Sequence, residues 1–277
     1  MSETIKREWA YLLGYVRSIE AVRCGKGTSD KLKILVNRTL YASYPLNLIS
    51  YRTFGRALFE PRNLVTSFRC MYGDIVFVCP GGNSELQFLR SFEPNVKQII
   101  SKFRVGDAVD VGAGFGLYTL ILSKCLGDRG SVLSIEPDGS YYSFLAENIA
   151  LNKCRNVTPL NVAAWSKTSK LSIRRHVFGG PIEDSMGEPT EGLIVAKPLD
   201  EIFTECSIEP RLVKIDVEGA EYEVLRGMES TLRLTRPKVI FEALTGKALA
   251  NCTSLLEKSN YAVRPLPDGN FLASVEH

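Results

Sequence analysis

Val109-Asp-Val-Gly-Ala-Gly-Phe-Gly-Leu-Tyr-Thr119 sets the architecture of this chain. An apolar strand runs into Gly112, Gly114 and Gly116, and a helical pattern begins directly after them. Glycines permit positive φ angles and let a ligand approach the backbone closely. In an open α/β sheet such a loop lies at the carboxyl end of the first strand, where ligands bind. The stretch therefore predicts a ligand-binding strand–loop–helix unit.

Short apolar runs alternate with helical patterns from this loop onward. We predict strands at 108–111, 131–135, 157–163, 212–215 and 239–241, and helices at 117–126, 141–152, 220–232 and 247–258. The alternation indicates a parallel sheet with helices on both faces, which is a doubly wound α/β fold. The runs 261–264 and 271–275 predict a closing antiparallel hairpin. Upstream, we predict a hairpin at 68–79 and a helix at 93–103.

The first 66 residues differ in charge from the rest of the chain. They contain 11 Lys and Arg against 5 Asp and Glu, whereas residues 67–277 contain 23 against 26. We predict a basic, mainly helical N-terminal extension over 1–66, with helices at 5–22 and from about 29 to 42, followed by the α/β domain over 67–277. A basic surface suits an anionic partner such as nucleic acid. The basic residues are dispersed, however, which favours a solvated helical face.

The composition argues against several classes of protein. No run of about 18 apolar residues is present, so we predict no membrane span. The N-terminus lacks the apolar core and cleavage site of a signal peptide, and we expect a cytoplasmic protein. The seven cysteines are widely spaced, and only two histidines accompany them. We therefore expect neither a metal site nor a disulfide framework.

The spacing of the glycines discriminates between cofactors. Dinucleotide sites require Gly-x-Gly-x-x-Gly, whereas here Gly116 comes one residue early. Asp110 precedes the loop, and a carboxylate at that point would repel a pyrophosphate. It suits a ligand with an ammonium and a sulfonium group, and S-adenosylmethionine carries both and has no phosphate.

A second acidic residue, Glu136, ends the next predicted strand, 22 residues after Gly114. At this position a carboxylate can accept hydrogen bonds from both ribose hydroxyls of an adenosine. Strand, glycine loop, helix, strand and Glu136 together predict an S-adenosylmethionine site.

Three stretches carry a resemblance to a known family. They are Asp110–Gly116, Ile135-Glu-Pro-Asp138 and Lys214-Ile-Asp-Val-Glu-Gly-Ala-Glu-Tyr-Glu-Val-Leu-Arg-Gly227. This set resembles the FkbM family of S-adenosylmethionine-dependent methyltransferases, over about residues 68–245. The resemblance implies a seven-stranded class I methyltransferase sheet with strand order 3-2-1-4-5-7-6 and an antiparallel strand 7. It also implies methylation of hydroxyl oxygens on sugars, polyketides or related secondary metabolites.

The same resemblance implies roles for individual residues. Those expected to bind the cofactor are Asp110, Gly112, Ala113, Gly114, Gly116, Glu136, Pro137, Ala163 and Asp216. Ala163 follows the third strand, in the region that flanks the adenine in this fold. Asp216, ahead of Glu218, is the candidate for the catalytic carboxylate nearest the methyl group. Either could act as a base, hold the acceptor or balance the sulfonium charge. Glu242, at the end of the fifth strand, faces the same rim.

Other activities remain as alternatives. The first is an RNA methyltransferase that uses the basic N-terminal arm. The fourth strand, however, ends in Ile-Asp-Val-Glu-Gly and not in the Asn/Asp-Pro-Pro-Tyr/Phe run of enzymes that methylate the amino groups of bases. A non-enzymatic binding module would be favoured by loss of Asp110 or Glu136, and both are present. We therefore predict methyl transfer to a small-molecule or glycan acceptor, with RNA as the alternative.

Overall fold

A computed structural model describes residues 20–42, 67–81, 84–172 and 193–275 of the chain. The chain divides into two compact units, Met1–Phe92 and Glu93–His277. The helix predicted at 5–22 lies almost entirely outside the described residues. No helix in the described part of the chain is long and apolar enough to cross a membrane.

The described part of the first unit includes an α-helix and a hairpin. Helix α1 (Thr28–Ala42) and the antiparallel strands β1 (Ser67–Tyr72) and β2 (Ile75–Pro80) confirm the predicted elements. Asp30 accepts a hydrogen bond at Oδ1 from the backbone N–H of Arg69, 3.0 Å away, and so ties the start of the helix to the hairpin. The described part of this unit also contains two short 3₁₀ turns, Val22–Cys24 and Ser84–Phe88.

The second unit alternates strands and helices along the chain. Its strands are β3 (Asp107–Val111), β4 (Val132–Ile135), β5 (Val157–Leu160), β6 (Ala163–Ala164), β7 (Ser169–Leu171), β8 (Ile194–Lys197), β9 (Pro210–Ile215), β10 (Lys238–Glu242), β11 (Ala262–Pro265) and β12 (Asn270–Ser274). Its helices are α2 (Pro94–Lys102), α3 (Leu117–Leu126), α4 (Gly139–Leu151), α5 (Leu199–Cys206), α6 (Glu221–Arg226), α7 (Glu229–Leu234) and α8 (Gly246–Lys258). A 3₁₀ turn, Gly127–Arg129, follows α3.

Seven of these strands form the central sheet, in the order β5-β4-β3-β9-β10-β12-β11. β12 is antiparallel to both of its neighbours, and the other adjacent pairs are parallel. This is the predicted order 3-2-1-4-5-7-6 with an antiparallel seventh strand, so the predicted fold class is confirmed. The middle strands are buried along nearly their whole length, because helices cover both faces of a parallel sheet.

The strand predicted at 157–163 is wrong at its end. β5 stops at Leu160, and Ala163 pairs instead with Ala196 of β8 in a separate three-stranded sheet, β6-β8-β7. The Asn161 side chain explains the exit from the central sheet. Its Nδ2 donates hydrogen bonds to the backbone oxygens of Glu136 (2.8 Å) and Pro137 (3.0 Å). A side-chain amide thus takes the place of the next backbone hydrogen bond between the two strands.

The single helix predicted at 220–232 is two helices, α6 and α7. The helix is interrupted at Gly227, where an added Cβ would lie 2.2 Å from the backbone oxygen of Trp165. α7 then starts with its own cap, because Asp200 accepts hydrogen bonds from the N–H groups of Ser230 (2.9 Å) and Thr231 (3.0 Å). Asp200 lies on α5, a helix that the sequence pattern did not reveal.

Candidate active site

The glycine loop between β3 and α3 combines one crowded and one open position. Gly112 has a φ of 77°, and an added Cβ would lie 1.8 Å from the backbone oxygen of Asp216. Gly114 has a φ of 56°, and apart from its neighbours in the chain no described residue has an atom within 4 Å of its added Cβ. The loop therefore packs closely against the end of β9 at Gly112, whereas at Gly114 its backbone faces unoccupied space. Ala113 donates its N–H to the oxygen of Ile135 at 3.0 Å, and Gly116 caps α3.

Asp110 is a buried carboxylate beneath this loop. It is 1% exposed, and its Oδ2 accepts a hydrogen bond from Thr119 Oγ1 at 2.7 Å. Its Oδ1 has no hydrogen-bond partner among the described residues. Burial raises the pKa of Asp110 above its ordinary value, although the ammonium of Lys214 and the bond from Thr119 oppose the shift. Ser134 Oγ lies 2.8 Å from the same Thr119 hydroxyl and extends this polar row across the sheet.

Glu136 ties the end of β4 to the glycine loop. Its Oε2 accepts from the N–H of Gly114 and its Oε1 from the N–H of Asp138, both at 2.8 Å. Burial raises its pKa to about 7, against the two backbone hydrogen bonds, which act to lower it. At 7% exposure the side chain offers only its outer edge to a ligand. Pro137 follows Glu136 and is held through its carbonyl by Asn161.

Lys214 and Asp216 form a partly buried ion pair at the end of β9. Lys214 Nζ lies 3.0 Å from Asp216 Oδ2 and 4.7 Å from the centre of the Tyr118 ring. Burial alone would lower the pKa of Lys214, but neighbouring carboxylates outweigh burial and raise it above its ordinary value. The strongest of these carboxylates belong to Asp216, Asp110 and Glu93.

Glu93 joins this site although sequence reasoning missed it. Its Oε2 accepts a hydrogen bond from the hydroxyl of Tyr118, and its Oε1 lies 3.2 Å from the donor Nδ2 of Asn270. Glu93 precedes α2 with a φ of 41°, a left-handed conformation that is uncommon for a residue other than glycine. One signal in the sequence was available. α2 runs directly into the first parallel strand, so its C-terminus lies at the amino end of that strand and its N-terminus at the opposite edge, where the glycine loop lies. Glu93, which is the N-cap residue of α2, is therefore expected at that edge.

Three further carboxylates lie at the ends of β9 and β10. Glu221 is fully buried at the start of α6, and its Oε1 accepts from the N–H of Gly219 at 2.9 Å, so it serves the helix start. Glu218 is exposed as a residue and has a φ of 54°, but its carboxylate is partly desolvated. This desolvation, followed by the charges of Asp216 and Glu221, raises its pKa. Burial and the neighbouring carboxylates, Asp216 first among them, raise the pKa of Glu242 to about 7.

The Ala163 region packs beside the loop that follows β9. Ala163 is buried in one apolar cluster with Trp165 and Ala220, and Val217 packs against it. Trp165 is 8% exposed, which agrees with a packing role for this ring. His176, one of the two histidines of the chain, lies outside the described residues.

A sequence profile described as the Methyltransferase FkbM domain matches residues 110–267, more than half of the chain. The chain belongs to the FkbM methyltransferase family. It is therefore a methyltransferase. The match starts at Asp110 and covers both acidic positions that flank the glycine loop.

Three individual proteins are similar to this FkbM methyltransferase at sequence identities between 19% and 27%. The hexuronic acid methyltransferase AglP of Haloferax volcanii is 27% identical over 175 residues, which are 62% of this chain and 70% of the relative. Methyltransferase 1 of Beauveria bassiana is 25% identical over 179 residues, 56% of this chain and 72% of the relative. The crystal structure of methyltransferase FkbM from Methylobacillus flagellatus KT aligns at 19% identity and a TM-score of 0.49, covering 71% of this chain and 56% of that one.

Proposed function

We propose that this FkbM methyltransferase transfers the methyl group of S-adenosylmethionine to a hydroxyl oxygen of a sugar, glycan or secondary metabolite. The observation that carries the proposal is the pairing of open backbone at Gly114 with the carboxylates of Asp110, Glu136 and Asp216 around it. A cation without phosphate suits this arrangement, because the carboxylates stabilise positive charge and would repel a pyrophosphate.

The residues at the glycine loop fit the cofactor in chemistry. The buried Oδ1 of Asp110 has an unused acceptor position, and Glu136 has further lone pairs for the ribose hydroxyls. Asp110 and Asp216 supply negative charge for the ammonium and sulfonium groups. The full set that we assign to cofactor binding is Asp110, Gly112, Ala113, Gly114, Gly116, Glu136, Pro137, Ala163 and Asp216.

The bound cofactor supplies an activated methyl group on a good leaving group, so positioning contributes most of the acceleration. We assign Asp216 and Glu218 to the methyl end of the site. Because the ammonium of Lys214 is paired with Asp216 at 3.0 Å, Asp216 is better suited to balancing charge and holding an acceptor hydroxyl than to taking a proton. Glu218, which is exposed, is suited to contacting the acceptor.

The choice of a sugar acceptor rests on the similarity to a hexuronic acid methyltransferase. The experiment is incubation of the full chain with S-adenosylmethionine tritiated in its methyl group. Neutral sugars, uronic acids, polyketide alcohols and RNA are offered in parallel. We expect label on a carbohydrate or metabolite that survives mild alkali, as a methyl ether does and a methyl ester does not. Label confined to RNA, or to a nitrogen atom, would contradict the proposal and would favour the basic N-terminal unit as an RNA-binding arm.

We also propose that residues 1–66 form an extension and that residues 67–277 form the methyltransferase domain. The opposite charge balance of the two segments supports this division, whereas the two compact units divide between Phe92 and Glu93 and group the hairpin with the N-terminal segment. A chain that starts at residue 67 should bind S-adenosylmethionine as the full chain does. Loss of folding in that shorter chain would show that the extension is part of the domain.

A further inference from the structure

We propose that Glu242 is the general base of this enzyme and takes the proton of the acceptor hydroxyl. The inference rests on the proposed function, since a neutral alcohol is a weak nucleophile and needs a base in the transition state. The proposal assigns two different tasks to the carboxylates at the ends of β9 and β10. Asp216 balances charge and holds the acceptor, and Glu242 accepts the proton.

The position of Glu242 follows from the register of the sheet. Phe241 of β10 pairs with Ile215 of β9, so the next residues, Glu242 and Asp216, lie side by side at the carboxyl ends of adjacent parallel strands. On its other side Glu242 pairs with Asn270 of β12. The backbone of Glu242 is therefore fixed between two strands, at the edge where α/β enzymes bind their ligands.

The carboxylate of Glu242 is free of the contacts that engage Asp216, Glu221 and Glu93. Its side chain makes no hydrogen bond or ion pair with any residue that the structure describes. By contrast, Asp216 is paired with Lys214, Glu221 caps the start of α6, and Glu93 holds Tyr118. Among the described carboxylates that follow β9 and β10, Glu242 and Glu218 are thus the two without a hydrogen-bond or ion-pair partner.

The groups around Glu242 raise its pKa into the range that suits a general base. Burial contributes most to the upward shift of its pKa, followed by the negative charges of Asp216 and Glu218 beside β9. Glu93 before α2 and Glu221 on α6 add to the shift, and together these groups bring the pKa to about 7. A general base works best when its pKa lies near the operating pH. Glu218 is less suited to this task, because it is exposed on a left-handed turn, whereas Glu242 is held in the register of the sheet.

The step balances with the groups at hand. A lone pair of the acceptor oxygen forms the bond to the methyl carbon, and the electron pair of the broken carbon–sulfur bond stays on the sulfur. The proton of the hydroxyl passes to the carboxylate of Glu242 and leaves to solvent after the product departs. No oxidant, metal or further reactant is required.

The test measures proton release on ligand binding, which does not depend on knowing the acceptor. Calorimetry at pH 7 in two buffers of different ionisation enthalpy gives the number of protons released by S-adenosylmethionine and by S-adenosylhomocysteine. The two ligands share the ribose and the amino acid, so Glu136 contributes equally to both. Only S-adenosylmethionine carries the sulfonium charge, which favours the ionised form of a nearby carboxylate.

We expect S-adenosylmethionine to release up to about 0.5 proton more than S-adenosylhomocysteine, because a group with a pKa near 7 is half protonated at pH 7. Glu242→Gln should abolish this difference, and Glu257→Gln, at an exposed position on α8, should keep it. Once an acceptor is known, Glu242→Gln should lower kcat by about 10²–10⁴-fold and leave cofactor affinity within a few-fold.

Two failures can be told apart. If the unaltered chain binds neither ligand, the proposed function is wrong. If both ligands bind but release equal numbers of protons, or if the difference survives in a folded Glu242→Gln variant, the proposed function stands and the assignment of Glu242 is overturned.

Discussion

The ammonium of Lys214 lies 3.0 Å from Oδ2 of Asp216 and shares the middle of the sheet with the carboxylate of Asp110. Lys214 pairs with Asp110 in the register of β9 and β3, so both side chains point to the same face of the sheet. One buried cation thereby serves two carboxylates from neighbouring strands. We infer that Lys214 stabilises the buried carboxylate of Asp110 and the partly buried carboxylate of Asp216 next to a site for a cationic ligand.

Removing this cation should weaken the fold. We expect Lys214→Met to lower the free energy of unfolding by about 3–5 kcal/mol at pH 8, because it leaves buried carboxylates without a counter-charge. The loss should shrink at pH 5, where a carboxyl with a raised pKa, such as Asp110, can take up a proton. Urea unfolding measures both values. Lys238→Met, at an exposed position on β10, is the control, and equal destabilisation by the two changes would refute this role for Lys214.

Gly112→Ala and Gly114→Ala should have opposite consequences. At Gly112 the new Cβ would meet the backbone oxygen of Asp216, so we expect a large loss of thermal stability or no folded protein. At Gly114 the Cβ enters open space, and the positive φ costs only about 1 kcal/mol. The methyl group then occupies the space that we assign to the cofactor.

We therefore expect Gly114→Ala to fold and to bind S-adenosylmethionine at least about tenfold more weakly, a loss of about 1.4 kcal/mol. Thermal unfolding and calorimetry of the same samples separate the two effects. A folded Gly114→Ala variant with unchanged affinity would remove this loop from the cofactor site.

The stability of the ligand-free chain should fall as the pH rises. Glu136 and Glu242 have an ordinary pKa of 4.5 and a pKa of about 7 in the folded chain. The folded chain therefore binds these two protons more tightly than the unfolded chain does. The contribution of the two groups to the free energy of unfolding is full below about pH 4.5 and is lost as the pH rises through about 7. We expect the Tm to fall by several degrees across this window and to fall less in Glu242→Gln. A Tm that rises between pH 5 and pH 8 would contradict this account of the rim.

Asp216→Asn should separate binding from turnover. The amide keeps an oxygen within reach of Lys214, so the fold and most of the cofactor affinity should survive. The negative charge at the methyl end is lost, and we expect turnover to fall by about 10²-fold or more, a rise of about 2.7 kcal/mol in the barrier. Calorimetry and a tritium transfer assay measure the two quantities. Full activity of this variant would remove Asp216 from the mechanism.

The parts of the fold that the sequence predicted correctly depend on local pattern. The glycine loop, the helix that follows it and the hairpin at Gly73 each follow from residues that are adjacent in the chain. The strand order followed from the family resemblance, and the closing antiparallel hairpin agreed with it. The location of Asp110 at the end of β3 also follows from the sequence, because only Val111 separates it from the glycine loop.

The errors arose where distant side chains determine the local structure. Asn161 ends β5 by bonding to the carbonyls after β4, and Asp200 starts α7 from another helix. Neither contact leaves a periodic signal in the chain. Glu93 was missed for the same reason, since its partners Tyr118 and Asn270 lie far along the sequence.

The most direct test of the whole account is a crystal structure of the chain with S-adenosylhomocysteine. We expect both ribose hydroxyls within hydrogen-bonding distance of Glu136, the amino acid portion above Gly114, and the sulfur directed toward Asp216 and Glu242. A ligand bound elsewhere, or a pyrophosphate-containing cofactor in the glycine loop, would contradict it.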